Sequence, residues 1–113
     1  MQDKLRIINM LELNDENFKK EVLESKQLVL VDFWRLGCNA CLLMIPIIED
    51  MAKELNNRIK IGKLDINENP ETAKMYRIPG VPTFIIFKDG KPIEKAVGLR
   101  SKEVLTDKLN SLS

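Results

Sequence analysis

The sequence predicts one α/β domain in which a mixed β-sheet carries helices on both faces. The first observation is the order of its hydrophobic segments, which alternate between strand-like runs and helical periodicity as β-α-β-α-β-α-β-β-α. The second is their connections: helices separate the first three strands, which favours parallel pairing, whereas a two-residue turn joins the last two as an antiparallel hairpin. The third is the length of 113 residues, which suits a single domain over residues 1–113.

In the first half of the chain we predict two strands and two helices. Ile7–Leu13 is a short apolar run typical of a strand. Residues 14–25 form a helix, because Asn14 can cap its first turn. Leu28–Trp34 is a continuous apolar run rich in β-branched residues, which predicts a buried strand. A long helix over residues 38–56 follows. Its predicted apolar face consists of Leu42, Ile45, Ile48, Met51, Ala52 and Leu55.

In the second half we predict a strand, a short helix, a hairpin and a final helix. Their expected bounds are residues 59–66, 70–76, 83–88 with 93–97, and 101–112. Asp89-Gly90 is a strong signal for the two-residue turn of the hairpin. Val104, Leu105 and Leu109 are expected to face inward from the last helix.

The composition excludes several classes of function. A formal net charge of +1, from 18 basic and 17 acidic residues, gives no electrostatic reason to expect nucleic acid or an anionic membrane. No apolar run approaches the ~18 residues of a membrane span, and no signal-peptide pattern is present, so we expect a cytoplasmic protein. The absence of histidine excludes Cys–His nucleophiles and histidine-ligated zinc. We expect neither a metal nor a cofactor.

A Cys-x-x-Cys motif, Cys38 and Cys41, lies where the buried strand gives way to the long helix. Unpaired N–H groups and the helix dipole stabilise a thiolate at a helix start, which lowers its pKa. Residues three apart in a first turn are close enough for a disulfide. The motif therefore indicates a reversible dithiol/disulfide site, with Cys38 as the exposed attacking thiol and Cys41 as the more buried resolving thiol. Two purely structural cysteines are the alternative.

Further motifs stand at ordered spacings around the cysteines. They are Val31-Asp32-Phe33-Trp34, Pro46, Lys63, Val81-Pro82-Thr83, Lys88-Asp89-Gly90 and Gly98. Together they resemble the thioredoxin family from about Ile7 to Leu112, and the resemblance implies a thioredoxin-like fold. The active-site segment departs from the family's usual Trp-Cys-Gly-Pro-Cys-Lys, because this chain has Gly37-Cys38-Asn39-Ala40-Cys41-Leu42.

Ala40 suggests one consequence of this departure. Proline has no N–H, so Ala40 restores a donor that can point at the Cys38 sulfur. Such a bond stabilises the thiolate, which exists only in the reduced form. We therefore expect the Cys38–Cys41 dithiol/disulfide couple to be somewhat more oxidising than it would be with proline at position 40.

Asp32 and Lys63 are candidate residues for proton transfer. Asp32 lies in a strand of apolar residues, where a carboxylate is costly unless it is paired or has a raised pKa. By resemblance it lies beneath Cys41 and exchanges a proton with that thiol. Lys63, also in an apolar strand, is the expected partner that keeps Asp32 ionisable.

The remaining candidates concern substrate binding. By resemblance, the Val81–Pro82 peptide bond is cis and faces the cysteines, so that the Val81 backbone can pair with an extended substrate segment. The resemblance also implies that Trp34 packs beside the active-site turn. Gly37, Gly80 and Gly98 are expected to leave a flat, open surface around Cys38 for protein substrates.

These features predict a protein-disulfide oxidoreductase that reduces substrate disulfides, acting as a monomer. A separate reductase must restore the dithiol, because the chain has no nucleotide-binding Gly-x-Gly-x-x-Gly. By resemblance this partner is a flavoprotein thioredoxin reductase. Three alternatives stay open: a disulfide oxidase or isomerase, which Asn39-Ala40 allows, a module holding Cu(I) between the thiolates, and a non-catalytic interaction domain.

Overall fold

The computed structural model describes residues 10–55 and 58–113. Regular structure within them follows the predicted order of elements, and α1 is a single turn with π-helical hydrogen bonding. The elements are β1 (Met10–Leu13), α1 (Lys19–Leu23), β2 (Leu28–Trp34), α2 (Asn39–Glu54), β3 (Ile59–Asp65), α3 (Pro70–Met75), β4 (Thr83–Lys88), β5 (Lys91–Val97) and α4 (Lys102–Leu112). Residues 7–9 and 56, which the sequence assigns to the first strand and the long helix, lie outside the described residues.

The sheet is mixed, as predicted, with the strand order β1-β3-β2-β4-β5. β3 pairs in parallel with both β1 and β2, because helices connect these strands. β4 pairs antiparallel with β2 and β5. The hairpin turn has positive φ at both Asp89 (51°) and Gly90 (79°), which is the backbone that Asp-Gly favours between two strands. A turn of only two residues lets β5 begin at Lys91, two residues earlier than expected.

Helices cover both faces of the sheet, also as predicted. Alternation along β2 places Leu28 and Leu30 in a core with α2 and α4, and Val29, Val31 and Phe33 in a second core with α1. The same alternation places Asp32 and Trp34 on the face that α2 covers. The first turn of α2, with its cysteines, therefore lies above the charged residue of the central strand.

The buried face of the long helix matches the sequence prediction at Ile48, Met51, Ala52 and Leu55, but it differs in the first turns. Cys41, Met44, Ile48, Met51 and Leu55 are buried, at spacings of three and four residues. Two residues of the predicted face are instead exposed: Leu42 retains 60% of its accessible surface and Ile45 retains 42%. The prediction was wrong for these two because a shift of one residue turns a helix by about 100°.

α4 shows a smaller correction of the same kind. Leu105 and Leu109 are buried as predicted, whereas Val104 is 55% exposed. Ser101 caps this helix, since its side chain accepts a hydrogen bond from the Val104 N–H at 3.1 Å.

Before α1, Asn14 and Asn17 cap each other. Each side-chain oxygen accepts the other residue's backbone N–H, at 2.7 and 2.8 Å. The helical segment that starts there is shorter than residues 14–25, because regular helix is confined to Lys19–Leu23. No helix within the described residues is long and apolar enough to cross a membrane.

Candidate active site

Cys38 is the N-cap of α2, and its sulfur occupies the place of a capping oxygen. Its backbone is extended (φ −96°, ψ 107°), and its Sγ accepts the Cys41 N–H at 3.1 Å. The two cysteines form a disulfide, with their Cα atoms 5.2 Å apart. In the reduced state the same N–H and the helix dipole stabilise negative charge on the Cys38 sulfur. The strand-to-helix junction therefore favours a Cys38 thiolate.

The donor to this sulfur is not the one expected from the sequence. Within the part of the chain that the structure describes, only the Cys41 N–H donates to Cys38 Sγ, and Ala40 does not. An acceptor at the N-cap bonds to the N–H of the second or third helical residue, and here the third is Cys41. This structure therefore lacks the Ala40 hydrogen bond on which we based the expected shift in the reduction potential of the cysteine pair.

Both cysteines are largely buried. Cys38 retains 8% of its accessible surface and Cys41 retains 4%. The difference has the predicted sign, but Cys38 is less exposed than the sequence suggested. A substrate must therefore approach closely around Cys38 to reach its sulfur.

Asp32 is buried beside the cysteines. It retains 6% of its accessible surface, and it lines the same cavity of about 100 Å³ as Cys41. Its Oδ1 has no hydrogen-bond partner among the described residues. Burial raises the pKa of Asp32 to about 7, against an opposing effect of the Lys63 charge. A carboxyl with this pKa can take up or release a proton near neutral pH.

Lys63 faces Asp32 across the junction of β2 and β3, where the two residues are register partners. The Lys63 ammonium lies 5.3 Å from the centre of the Trp34 ring, which is within range of a cation–π contact. The Trp34 Nε1 is buried and has no partner among the described residues. Lys63 thus acts on Asp32 through its charge, and its ammonium also contacts the Trp34 ring.

The Val81–Pro82 segment approaches Cys38 from the start of β4. The peptide bond is cis, and the Val81 carbonyl oxygen lies 3.7 Å from Cys38 Sγ. The Gly98 N–H donates to the Pro82 carbonyl at 2.8 Å, which brings the end of β5 to the same place. Gly37 and Gly98 both have positive φ (81° and 94°), a conformation that disfavours side chains. The structure thus gathers Val81, Pro82 and Gly98 on one side of the disulfide.

Four residues that the sequence analysis did not assign to the site also line the cavity beside Cys41. They are Arg35 and Leu36 from the turn before α2, and Leu42 and Ile45 from its first turns. A sequence signal for Leu42 and Ile45 existed. If the buried face of α2 had been assigned to start at Cys41 and Met44, Leu42 and Ile45 would have been predicted to face outward. Among the described residues, no group of three acidic, cysteine or histidine residues could hold a metal ion.

Comparison with known proteins gives one consistent result. A family model described as Thioredoxin matches residues 9–111. Thioredoxin from Buchnera aphidicola subsp. Schizaphis graminum is 48% identical over 101 residues, which cover 89% of this chain and 94% of that protein. Thioredoxin from Rickettsia prowazekii is 43% identical, covering 87% of this chain and 93% of that protein. Thioredoxin from Mycobacterium bovis is 37% identical, covering 90% and 88%.

The buried Asp32 predicts a pH-dependent change in stability on replacement by Asn. Raising the Asp32 pKa from 3.8 to about 7 means that the folded protein loses stability as pH rises across that range. Asp32→Asn removes this loss. Its free energy of unfolding should match the wild type near pH 3.5 and exceed it by up to about 4 kcal/mol above pH 7.5. Urea denaturation at a series of pH values measures the difference.

Asp15→Asn is the matched control with the opposite sign. Burial raises the pKa of Asp15, but hydrogen bonds from the Thr72 side chain and N–H and from the Glu71 N–H outweigh it and lower the pKa overall. This variant should therefore be less stable than wild type at neutral pH, and the difference should shrink in acid. A pH-independent gain in Asp32→Asn would contradict the assignment of its buried charge.

Proposed function

The chain belongs to the thioredoxin family and is a protein-disulfide oxidoreductase, and from this premise we propose that it works in the reducing direction, with Cys38 as the attacking thiol. The observation that carries the proposal is the Cys38 sulfur at the N-cap of α2, where the Cys41 N–H reaches it at 3.1 Å. The Cys38 thiolate attacks one sulfur of a substrate disulfide, forms a mixed disulfide and releases the other sulfur as a thiolate.

Cys41 then completes the exchange. Its thiolate attacks Cys38 Sγ, the Cys38–Cys41 disulfide forms, and the second substrate sulfur leaves as a thiolate. Two electrons have passed from the protein dithiol to the substrate disulfide. The smaller accessible surface of Cys41 suits this second role, because the sulfur that it attacks is that of the neighbouring Cys38 and no external sulfur has to reach it.

Asp32 takes the proton that Cys41 must lose. Both residues line one cavity, and the pKa of about 7 leaves a large fraction of Asp32 ionised at neutral pH. Lys63 keeps that fraction from falling further, since its charge favours the carboxylate.

Substrate binding involves the opposite side of the disulfide. The Val81 backbone, next to Cys38 Sγ, offers its polar groups to an extended substrate segment, in the manner of an added β-strand. Pro82 and Gly98 shape the surface on which that segment lies, and Trp34 and Gly37, which line the cavity beside Cys41, shape the adjoining surface.

The family's partners are proteins with disulfides and a reductase. We assign the reductase role to a flavoprotein thioredoxin reductase, and we propose that the protein acts as a monomer and as one domain over residues 1–113. We place it in the cytoplasm, because a dithiol that is oxidised at each turnover needs a compartment that keeps thiols reduced.

Equilibration with glutathione tests the direction of the reaction. If the protein works as a reductant, the reduction potential of its Cys38–Cys41 couple should be more negative than that of the glutathione couple. Its disulfide should therefore persist even in a buffer rich in reduced glutathione. Mass spectrometry after acid quenching and alkylation measures the ratio of dithiol to disulfide. A potential well above that of glutathione would favour the oxidase or isomerase alternative.

Single cysteine variants test the two roles. Cys41→Ser should accumulate a covalent complex through Cys38 when mixed with a peptide disulfide, because the first step remains and the second is lost. Cys38→Ser should form no adduct on the same timescale, since Cys41 is less accessible. Non-reducing electrophoresis with peptide mapping identifies the bonded cysteine, and the double serine variant is the control. An adduct through Cys41 would reverse the assignment.

The rate of the second step tests Asp32. In wild type, resolution of a preformed mixed disulfide should accelerate as pH rises through about 7, as Asp32 ionises. Asp32→Asn should slow resolution at least about tenfold at pH 7 and remove this dependence. Quenched-flow release of the second peptide thiol measures the rate, and the rate of the first attack serves as the internal control. Unchanged resolution would remove the proton-transfer role.

A further inference from the structure

The cavity beside Cys41 has an unexpected rim of aliphatic side chains. Leu36 retains 74% of its accessible surface, Leu42 retains 60% and Ile45 retains 42%, and all three line this cavity. We refer to these three residues as the apolar rim. Exposed apolar groups that cluster around one opening are typical of a surface that binds a partner.

The apolar rim lies outside the buried face of α2. The buried face of α2 is complete without it, and Leu36 lies in the turn before the helix. Leu43 provides a comparison, because it is equally exposed (63%) on the same helix but does not line the cavity. Three of the large exposed aliphatic residues of this region thus converge on the disulfide, and their neighbour Leu43 does not.

The cavity lies beside the place where exchange occurs. Cys41 and Gly37 line it, Gly37 precedes Cys38 in the chain, and Cys41 is its disulfide partner. A protein whose sulfur bonds to Cys38 therefore brings its adjacent residues next to the apolar rim. Val81 and Gly98 lie at the start of β4 and the end of β5, and not in the turn and helix that hold the apolar rim. The apolar rim therefore forms a second wall of the substrate site.

The size of the cavity identifies the kind of occupant. Its volume is about 100 Å³, well below the ~300–1,000 Å³ of small-molecule sites. It exceeds the ~30 Å³ that one water molecule occupies in the liquid. This space suits a single side chain.

We propose that the cavity receives an apolar side chain next to the reacting cysteine of the protein substrate, and that Leu36, Leu42 and Ile45 determine this specificity. The proposal rests on the proposed function, reduction of protein disulfides at Cys38. Burial of the incoming side chain against the apolar rim removes apolar surface of both partners from water, which favours the complex.

An acidic side chain is the competing occupant, because Arg35 and Lys63 also line the cavity. Both cations already make contacts within the chain. Arg35 donates to the Leu36 carbonyl at 3.1 Å, and the Lys63 ammonium lies 5.3 Å from the centre of the Trp34 ring. Three of the four exposed side chains that line the cavity are aliphatic, and this surface therefore favours an aliphatic occupant.

Single-turnover reduction of three symmetric peptide disulfides tests the proposal. The peptides differ only in the residues beside cysteine, which are leucine, serine or glutamate, and hydroxyethyl disulfide reports the intrinsic reactivity of the dithiol. Pre-reduced wild-type protein should reduce the leucine peptide with the lowest half-saturating concentration. Leu42→Gln should raise that concentration about five- to tenfold, leaving its maximal rate and the serine peptide unchanged within twofold.

Leu43→Gln is the matched control and should change neither peptide. Leu36→Gln provides a second variant outside the helix and should act like Leu42→Gln. Equal half-saturating concentrations for the leucine and serine peptides, or equal losses in Leu42→Gln and Leu43→Gln, would overturn the proposal while leaving the proposed function intact. Preference for the glutamate peptide would overturn it in favour of the acidic occupant.

Two further outcomes identify other failures. If wild type reduces hydroxyethyl disulfide but none of the peptides, the proposed function itself fails, and the inference fails with it. If sedimentation shows that wild type dimerises at micromolar concentration and Leu42→Gln does not, with peptide kinetics unchanged, the apolar rim is a contact between copies of this chain and the proposal is wrong.

Discussion

The site is organised around one unfavourable interaction, the burial of the Asp32 carboxyl in the central strand. A pKa of about 7 corresponds to a loss of up to about 4 kcal/mol of stability once the group ionises. That is a large fraction of the total stability of an ordinary domain. The remaining side chains of β2 are almost wholly apolar and lie in the two cores, so the fold tolerates the loss. The same burial gives Asp32 a pKa suited to proton exchange with a thiol at neutral pH.

Much of the fold could be predicted because the central elements have unambiguous patterns. β2 and β4 begin and end where the sequence places them, since each is a continuous apolar run between polar residues. The mixed sheet with helices on both faces followed from the connections between strands. The face of α2 could not be fixed in the same way. Its first turns are apolar nearly all round, from Cys41 to Ile48, so periodicity alone did not separate the buried face from the apolar rim.

Predictions for the site were reliable where a residue type is rare or energetically unfavourable in the element that holds it. A carboxylate in an apolar strand and two cysteines at a helix start both imply chemistry, and the structure brings Asp32 and Cys41 to one cavity. Their roles remain predictions. The hydrogen bond to Cys38 Sγ was assigned to the wrong donor, because the sequence shows that Ala40 has an N–H but not where it points. Contacts made between distant elements, such as Gly98 with Pro82, have no local signal.

The capping of α2 by a sulfur atom couples the helix to the electrons that the protein carries. A thiolate is a stronger acceptor for the Cys41 N–H than a sulfur bonded to another sulfur, so this hydrogen bond is strongest when the dithiol is reduced. By thermodynamic reciprocity, whatever strengthens the hydrogen bond makes the protein hold its two electrons more firmly, and whatever weakens it makes them easier to give away. A protein partner that presses on the start of α2 therefore adjusts the redox balance of the cysteines without touching either sulfur.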